Sequence, residues 1–129
     1  MWQHTLTALR RFGGLPLNFL ILGAVTAEQR DESLDALRAA TGRDAWRPLQ
    51  TTPFELPIVP SSIVVIDQLA DLSTDDQQAL LRWLDQHRDA MVLSFATHTI
   101  LGLVTNGQFS KRLFYRLNSI TLSLDDETA

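Results

Sequence analysis

Cysteine is absent from the 129 residues, which excludes a disulfide framework and any thiolate metal site. Histidine is scarce: His4, His87 and His98 lie far apart in sequence without ligand spacing. Basic residues are outnumbered, with 11 Lys and Arg against 15 Asp and Glu, and they are scattered rather than gathered into a stripe. A net charge of −4 on such a pattern argues against a dedicated nucleic-acid surface, because phosphate contacts need cations concentrated on one face. Long apolar runs are missing too. The best candidate, Leu15 to Val25, is too short to span a bilayer and is interrupted by Pro16 and Asn18. Arg10 and Arg11 before that run, with Val25-Thr26-Ala27 at its end, imitate a secretion signal, but the helix that follows is one the domain needs. The expected location is therefore cytoplasmic. Internal repeats and low-complexity segments are also lacking.

What is present suits one globular domain, since apolar residues make up 45% of the chain and can fill a core. The division expected is a single α/β domain over 1–124 and an acidic C-terminal tail over 125–129. Trp2, Leu6, Leu9 and Phe12 share one face of a short helix that ends at Gly13-Gly14. Asn18 to Leu22 is an apolar run of strand length stopping at Gly23, and Thr26 then caps a helix carrying Leu34, Leu37 and Ala40 as far as Thr41-Gly42. Ala45 to Gln50 reads as a short strand, and three prolines between Thr51 and Pro60 forbid regular structure. Ile63-Val64-Val65-Ile66 is a buried strand closed by Asp67. Ser73, Asp75 and Asp76 start a helix whose apolar face is Ala79, Leu80, Trp83 and Leu84. Ala90 to Ala96 is a third apolar strand. Phe109, Leu113 and Leu117 then fall on one helical face, with Lys111, Arg112 and Arg116 as a basic cluster, before Ile120, Leu122 and Leu124 alternate at strand spacing. Strands apolar on both faces, alternating with helices, predict a three-layer αβα sandwich around a mostly parallel sheet of about five strands.

Ligands of a parallel α/β sheet sit at the carboxyl ends of its strands, which directs attention to the residues after Leu22, Ile66 and Ala96. A phosphate-binding loop beginning at Gly23 requires a second glycine, a lysine and a hydroxyl where this chain has Glu28, Gln29 and Arg30. The strand ending at Asp67 has the form of a Walker B strand, where the acid holds magnesium. Gln68, next in line, can hydrogen-bond a water but cannot take its proton. Without a phosphate loop, the simpler reading of Asp67 is a strand-end acid capping a turn. His98 is either a polar sensor of a ligand or a solvated loop residue, and Arg112 and Arg116 are either arginine fingers or a solvated basic face with Tyr115 beneath it.

The stretch Asn106-Gly107-Gln108-Phe109-Ser110-Lys111-Arg112-Leu113-Phe114-Tyr115-Arg116-Leu117-Asn118 resembles the Gly-Arg-Phe-Arg-Glu-Asp-Leu-Tyr-Tyr-Arg-Leu-Asn signature of bacterial enhancer-binding proteins, the AAA+ activators of sigma-54 RNA polymerase. Ile66-Asp67-Gln68-Leu69-Ala70-Asp71-Leu72 followed by Gln77 and Leu80-Leu81-Arg82-Trp83-Leu84 is similar to the Walker B region and the next helix of that family. Phe95-Ala96-Thr97-His98 looks like its sensor strand, with His98 in place of asparagine. The similarity covers Ile63 to Leu124 well, and Leu17 to Gln50 only by order of elements.

The resemblance implies a P-loop NTPase-type core in which Gly23, Asp67, Gln68 and His98 mark a vestigial nucleotide site. It also implies a subunit-contact surface at Phe109, Arg112, Tyr115 and Arg116. The departures at Glu28, Gln29, Arg30, Gln68, His98 and Ser110, the missing Gly-Ala-Phe-Thr-Gly-Ala loop that touches sigma-54 and the missing helical lid imply loss of hydrolysis. The expected function is a non-catalytic regulatory domain that contacts a protein partner, an AAA+ activator subunit or a second copy of itself. No cofactor, metal, nucleic acid or membrane is expected. Two alternatives remain: a divergent nucleotide-binding protein or weak NTPase using Asp67, His98 and Arg116, and a DNA-binding regulator, for which the chain offers no helix-turn-helix.

Overall fold

A computed structural model describes residues 2–13, 17–48, 55–58 and 61–124. The expected tail, 125–129, and the expected strand residues Leu49 and Gln50 lie outside them. Five strands, β1 (Phe19–Leu22), β2 (Ala45–Trp46), β3 (Ile63–Ile66), β4 (Met91–Ala96) and β5 (Ile120–Ser123), form one sheet in the order β2-β3-β4-β1-β5. Every pairing is parallel, with Leu93 opposite Phe19 and Val65, and Ile120 opposite Phe19 on the other side. Such a sheet needs crossovers, and the helices α1 (Trp2–Phe12), α2 (Ala27–Thr41), α3 (Thr74–Gln86), α4 (Leu101–Thr105) and α5 (Lys111–Leu117) cover its two faces.

The period of two along each strand divides the core. Phe19, Ile21, Ile63, Val65, Met91, Leu93 and Phe95 pack with Leu6 and Leu9 of α1 and Leu34, Ala36 and Leu37 of α2. Leu20, Val64, Ile66, Val92 and Ala96 point the other way, against Leu80, Trp83 and Leu84 of α3 and Leu113, Phe114 and Leu117 of α5. The result is the expected αβα sandwich. Gly13 allows α1 to close on α2, because a Cβ there would lie 2.5 Å from the Leu9 carbonyl oxygen and 3.0 Å from Leu37 Cδ2.

Two buried amides join the layers. Asn18 Oδ1 accepts from Val92 N at 2.9 Å, its Nδ2 donates to the Arg116 carbonyl at 2.7 Å, and its own carbonyl accepts from Ile120 N at 3.1 Å. The polar residue that interrupts the apolar run thus ties β1, β4, α5 and β5 together. Gln77 of α3 donates to the carbonyls of Leu72 at 3.0 Å and Gln108 at 3.1 Å and accepts from Ser110 N at 2.8 Å. It fixes the approach to α5. Ser110 then caps that helix, its hydroxyl accepting from Leu113 N at 3.2 Å.

The last helical region differs from expectation. Gly107, with a φ of 77°, separates the five-residue α4 from α5, and Phe109 precedes α5. Phe109 is only 2% exposed and packs under α3 and α5, so its expected place on a contact surface is corrected to the core. The short β2 ends at Trp46, whose indole Nε1 donates to the Glu55 carbonyl at 3.1 Å, while Trp83 Nε1 holds the Pro57 carbonyl at 2.8 Å.

Candidate functional site

A cleft of about 530 Å³ opens at the carboxyl ends of β1, β3 and β4. Gly23, Asp67, Gln68 and His98 all line it, together with Arg30, Asp71, Thr97 and Thr99. All four of the residues marked as a nucleotide site therefore meet in one place, as the parallel topology requires. Gly23 is buried, and at φ 132° its N–H donates to the Ala96 carbonyl at 2.9 Å. A Cβ at this glycine would lie 2.9 Å from Leu124 Cβ. Gln68 and His98 are exposed on the rim.

The loop after Gly23 is closed on itself. Val25 N donates to the Gly23 carbonyl at 3.0 Å, and Thr26 forms a capping box in which its hydroxyl accepts from Gln29 N at 3.0 Å and Gln29 Oε1 accepts from Thr26 N at 2.9 Å. A phosphate loop leaves the backbone donors of its helix N-terminus to the ligand and adds a lysine. Here one such donor is spent on Thr26, Gln29 is turned back, and Glu28 adds a negative charge to the first turn.

Asp67 has two cationic neighbours. Arg30 Nε lies 3.9 Å from Oδ1, and Arg47 Nε lies 3.3 Å from Oδ2. Arg47 NH2 also reaches Asp31 Oδ1 at 3.7 Å, so the pairs form a chain across α2, the end of β2 and the end of β3. In a phosphate-loop site a hydroxyl at the position of Arg30 and an acid at the position of Asp67 share one magnesium ion. This chain puts a guanidinium on each oxygen of that acid. A divalent cation would have to displace two guanidiniums, so as arranged here these residues do not fit a magnesium ion. Among the described residues, no group of three or more His, Cys, Asp or Glu is arranged to hold a metal, and no helix is long and apolar enough to cross a membrane.

Apart from Phe109, the residues expected on the contact surface, Arg112, Tyr115 and Arg116, lie elsewhere, on α5. Tyr115 is 65% exposed, whereas Arg116 is engaged within the chain: its guanidinium pairs with Asp85 and donates to the Leu84 carbonyl at 2.9 Å. Arg112 reaches the same Asp85 at 3.3 Å. These contacts place Arg116 at the C-terminal end of α3, where a cation complements the helix dipole. It does not line the cleft.

Three crystal structures of NtrX from Brucella abortus are similar to the chain. The ADP complex gives a TM-score of 0.74 at 17% identity over 95% of this chain and 35% of the NtrX chain. The chain shares that fold. For the ATP complex the corresponding values are 0.72, 17%, 96% and 37%, and for a further NtrX structure they are 0.73, 14%, 95% and 36%. The chain thus spans little more than a third of the NtrX chains it matches. No protein-family model matches it, and no curated protein does.

Sequence reasoning singled out the cleft residues but missed what joins them. Arg30 was legible only as a lost hydroxyl, and no signal marked Arg47 as a partner of Asp67.

Proposed function

We propose that this AAA+-like core is a non-catalytic regulatory domain, related to the sigma-54-dependent activators, that works by contact with a protein partner and does not hydrolyse nucleotide. The observation that carries this reading is the self-capped start of α2, where Thr26 and Gln29 satisfy each other in the place of a phosphate cradle. A second support is the fold, matched by NtrX structures solved with ADP and ATP, here combined with a cleft in which Asp67 is paired with Arg30 and Arg47. The partner is an AAA+ activator subunit or a second copy of the chain. The contact surface is the outer side of α5, through Tyr115 and Arg112, with Arg116 as its anchor to α3.

Titration with magnesium-ATP is the direct test. No saturable heat or change in melting temperature is expected up to millimolar nucleotide, and micromolar binding that needs magnesium would refute the reading. Size measurement with and without a sigma-54 activator tests the docking surface, with a larger species expected that Tyr115→Ala removes. A solely monomeric chain in both samples would argue against it.

The cleft itself favours a second reading, a divergent nucleotide-binding protein using Asp67 and His98. Arg116 could serve that function only on a neighbour's nucleotide. Phosphate release abolished by Asp67→Ala would establish it.

A further inference from the structure

We propose that Asp67 is a built-in counter-ion, and that the guanidiniums of Arg30 and Arg47 are a latent polyphosphate site which this carboxylate keeps closed. The inference rests on the non-catalytic reading above and concerns the same cleft. It starts from a coincidence of position. Arg30 stands eight places into the loop-and-helix pattern that begins at Gly23, where a phosphate loop puts the hydroxyl that shares magnesium with the Walker B acid. In this chain the two positions still meet, Arg30 Nε lying 3.9 Å from Asp67 Oδ1, with the metal's positive charge supplied by a side chain.

Arg47 completes the arrangement from the other side. Its Nε lies 3.3 Å from Asp67 Oδ2 and its NH2 3.7 Å from Asp31 Oδ1. Two cations and two carboxylates therefore cancel within this chain of pairs, and Asp71 adds a further carboxylate to the cleft wall, which leaves no net attraction for an anionic ligand. Partial exposure fits exchangeable pairs, since the side chains of Arg30, Asp67 and Arg47 are 29%, 35% and 43% exposed. A guanidinium pair released from its carboxylate is a fork for phosphate oxygens.

The sign of one substitution separates this arrangement from a magnesium site. At a Walker B acid, Asp→Asn removes a metal ligand and weakens binding of magnesium nucleotide. At a counter-ion it frees Arg30, leaves Arg47 with Asp31 alone, and strengthens binding of the bare polyanion. The probe is inorganic tripolyphosphate without magnesium, titrated at low salt into wild type and Asp67→Asn and followed by calorimetry. Binding tighter by on the order of tenfold in the variant is expected, with the gain abolished by adding Arg30→Met or Arg47→Met and reduced by raised salt. An unchanged affinity in a variant whose circular dichroism matches wild type overturns the counter-ion role. It would leave the non-catalytic reading standing if wild type also binds no magnesium-ATP. Magnesium-dependent ATP binding by wild type that Asp67→Asn abolishes overturns both. Should Asp67→Asn fail to fold, Asp67→Ser gives the same comparison, and absence of any gain in it overturns the proposal.

Discussion

Replacing Gln77 by leucine removes a single amide but leaves three backbone groups without their partner. The Leu72 carbonyl loses a buried hydrogen bond, while the Gln108 carbonyl and the Ser110 N–H lose bonds at a partly buried site. An unpaired buried group costs about 1–3 kcal/mol, and a site that water can reach costs less. Leucine recovers some of this by burying apolar surface in a position that is 4% exposed. The net expectation is a loss of about 2–4 kcal/mol, equivalent to a melting temperature lower by roughly 10 °C for a domain of this size. Urea denaturation followed by circular dichroism measures the first quantity, and a thermal scan the second. The neighbouring Gln78→Leu, at an exposed position of the same helix, serves as the control and should stay within about 0.5 kcal/mol of the parent. If Gln77→Leu also falls within that margin, the amide does not hold the approach to α5, and the account of how α3 positions the contact surface is wrong.

Other substitutions test other parts of the structure. The hydroxyl of Ser94 is buried without a hydrogen-bond partner in the middle of β4, so Ser94→Ala should leave the urea midpoint unchanged or raise stability by up to about 1 kcal/mol. Gly13→Ala forces a methyl group against the Leu9 carbonyl and Leu37, and should cost about 1–3 kcal/mol in the same assay. Asp85→Ala removes the ion pairs of both Arg112 and Arg116, but these pairs are more than a third exposed on at least one side. Stability should therefore change by less than about 1 kcal/mol, while any complex made through α5 changes its salt dependence.

The αβα architecture was legible because strand and helix periods differ so clearly here. Ile63 to Ile66 and Met91 to Ala96 are apolar on both faces, and both sides of the sheet prove to be covered. The bounds of α2 were legible from chemistry, since Thr26 and Gly42 cap it, the latter at a φ of 71°. Helix α4 was not. Leu101 to Thr105 has no side-chain cap at its start and buries none of its residues, so neither capping chemistry nor periodicity announces it. Phe109 was assigned to a helical face by its spacing from Leu113 and Leu117, yet Ser110 starts α5 after it, and tertiary packing draws the ring inward. In the cleft, topology alone brought Gly23, Asp67, Gln68 and His98 together. The pairing of Asp67 with Arg30 and Arg47 depends on side-chain reach between separate elements, a relation that one-dimensional spacing does not encode.

The Asn18 amide has a kinetic consequence as well as a static one. Its bonds to Val92 and Arg116 bridge sequence separations of 74 and 98 residues, so they form only after most of the chain has been brought together. Long loops must close first, and closing them slows folding. Substituting Asn18 should therefore raise the unfolding rate more than it lowers the folding rate, the pattern of a contact made after the transition state. The amide would then act as a late latch on the assembled sheet, lengthening the lifetime of the native state without helping the chain to reach it.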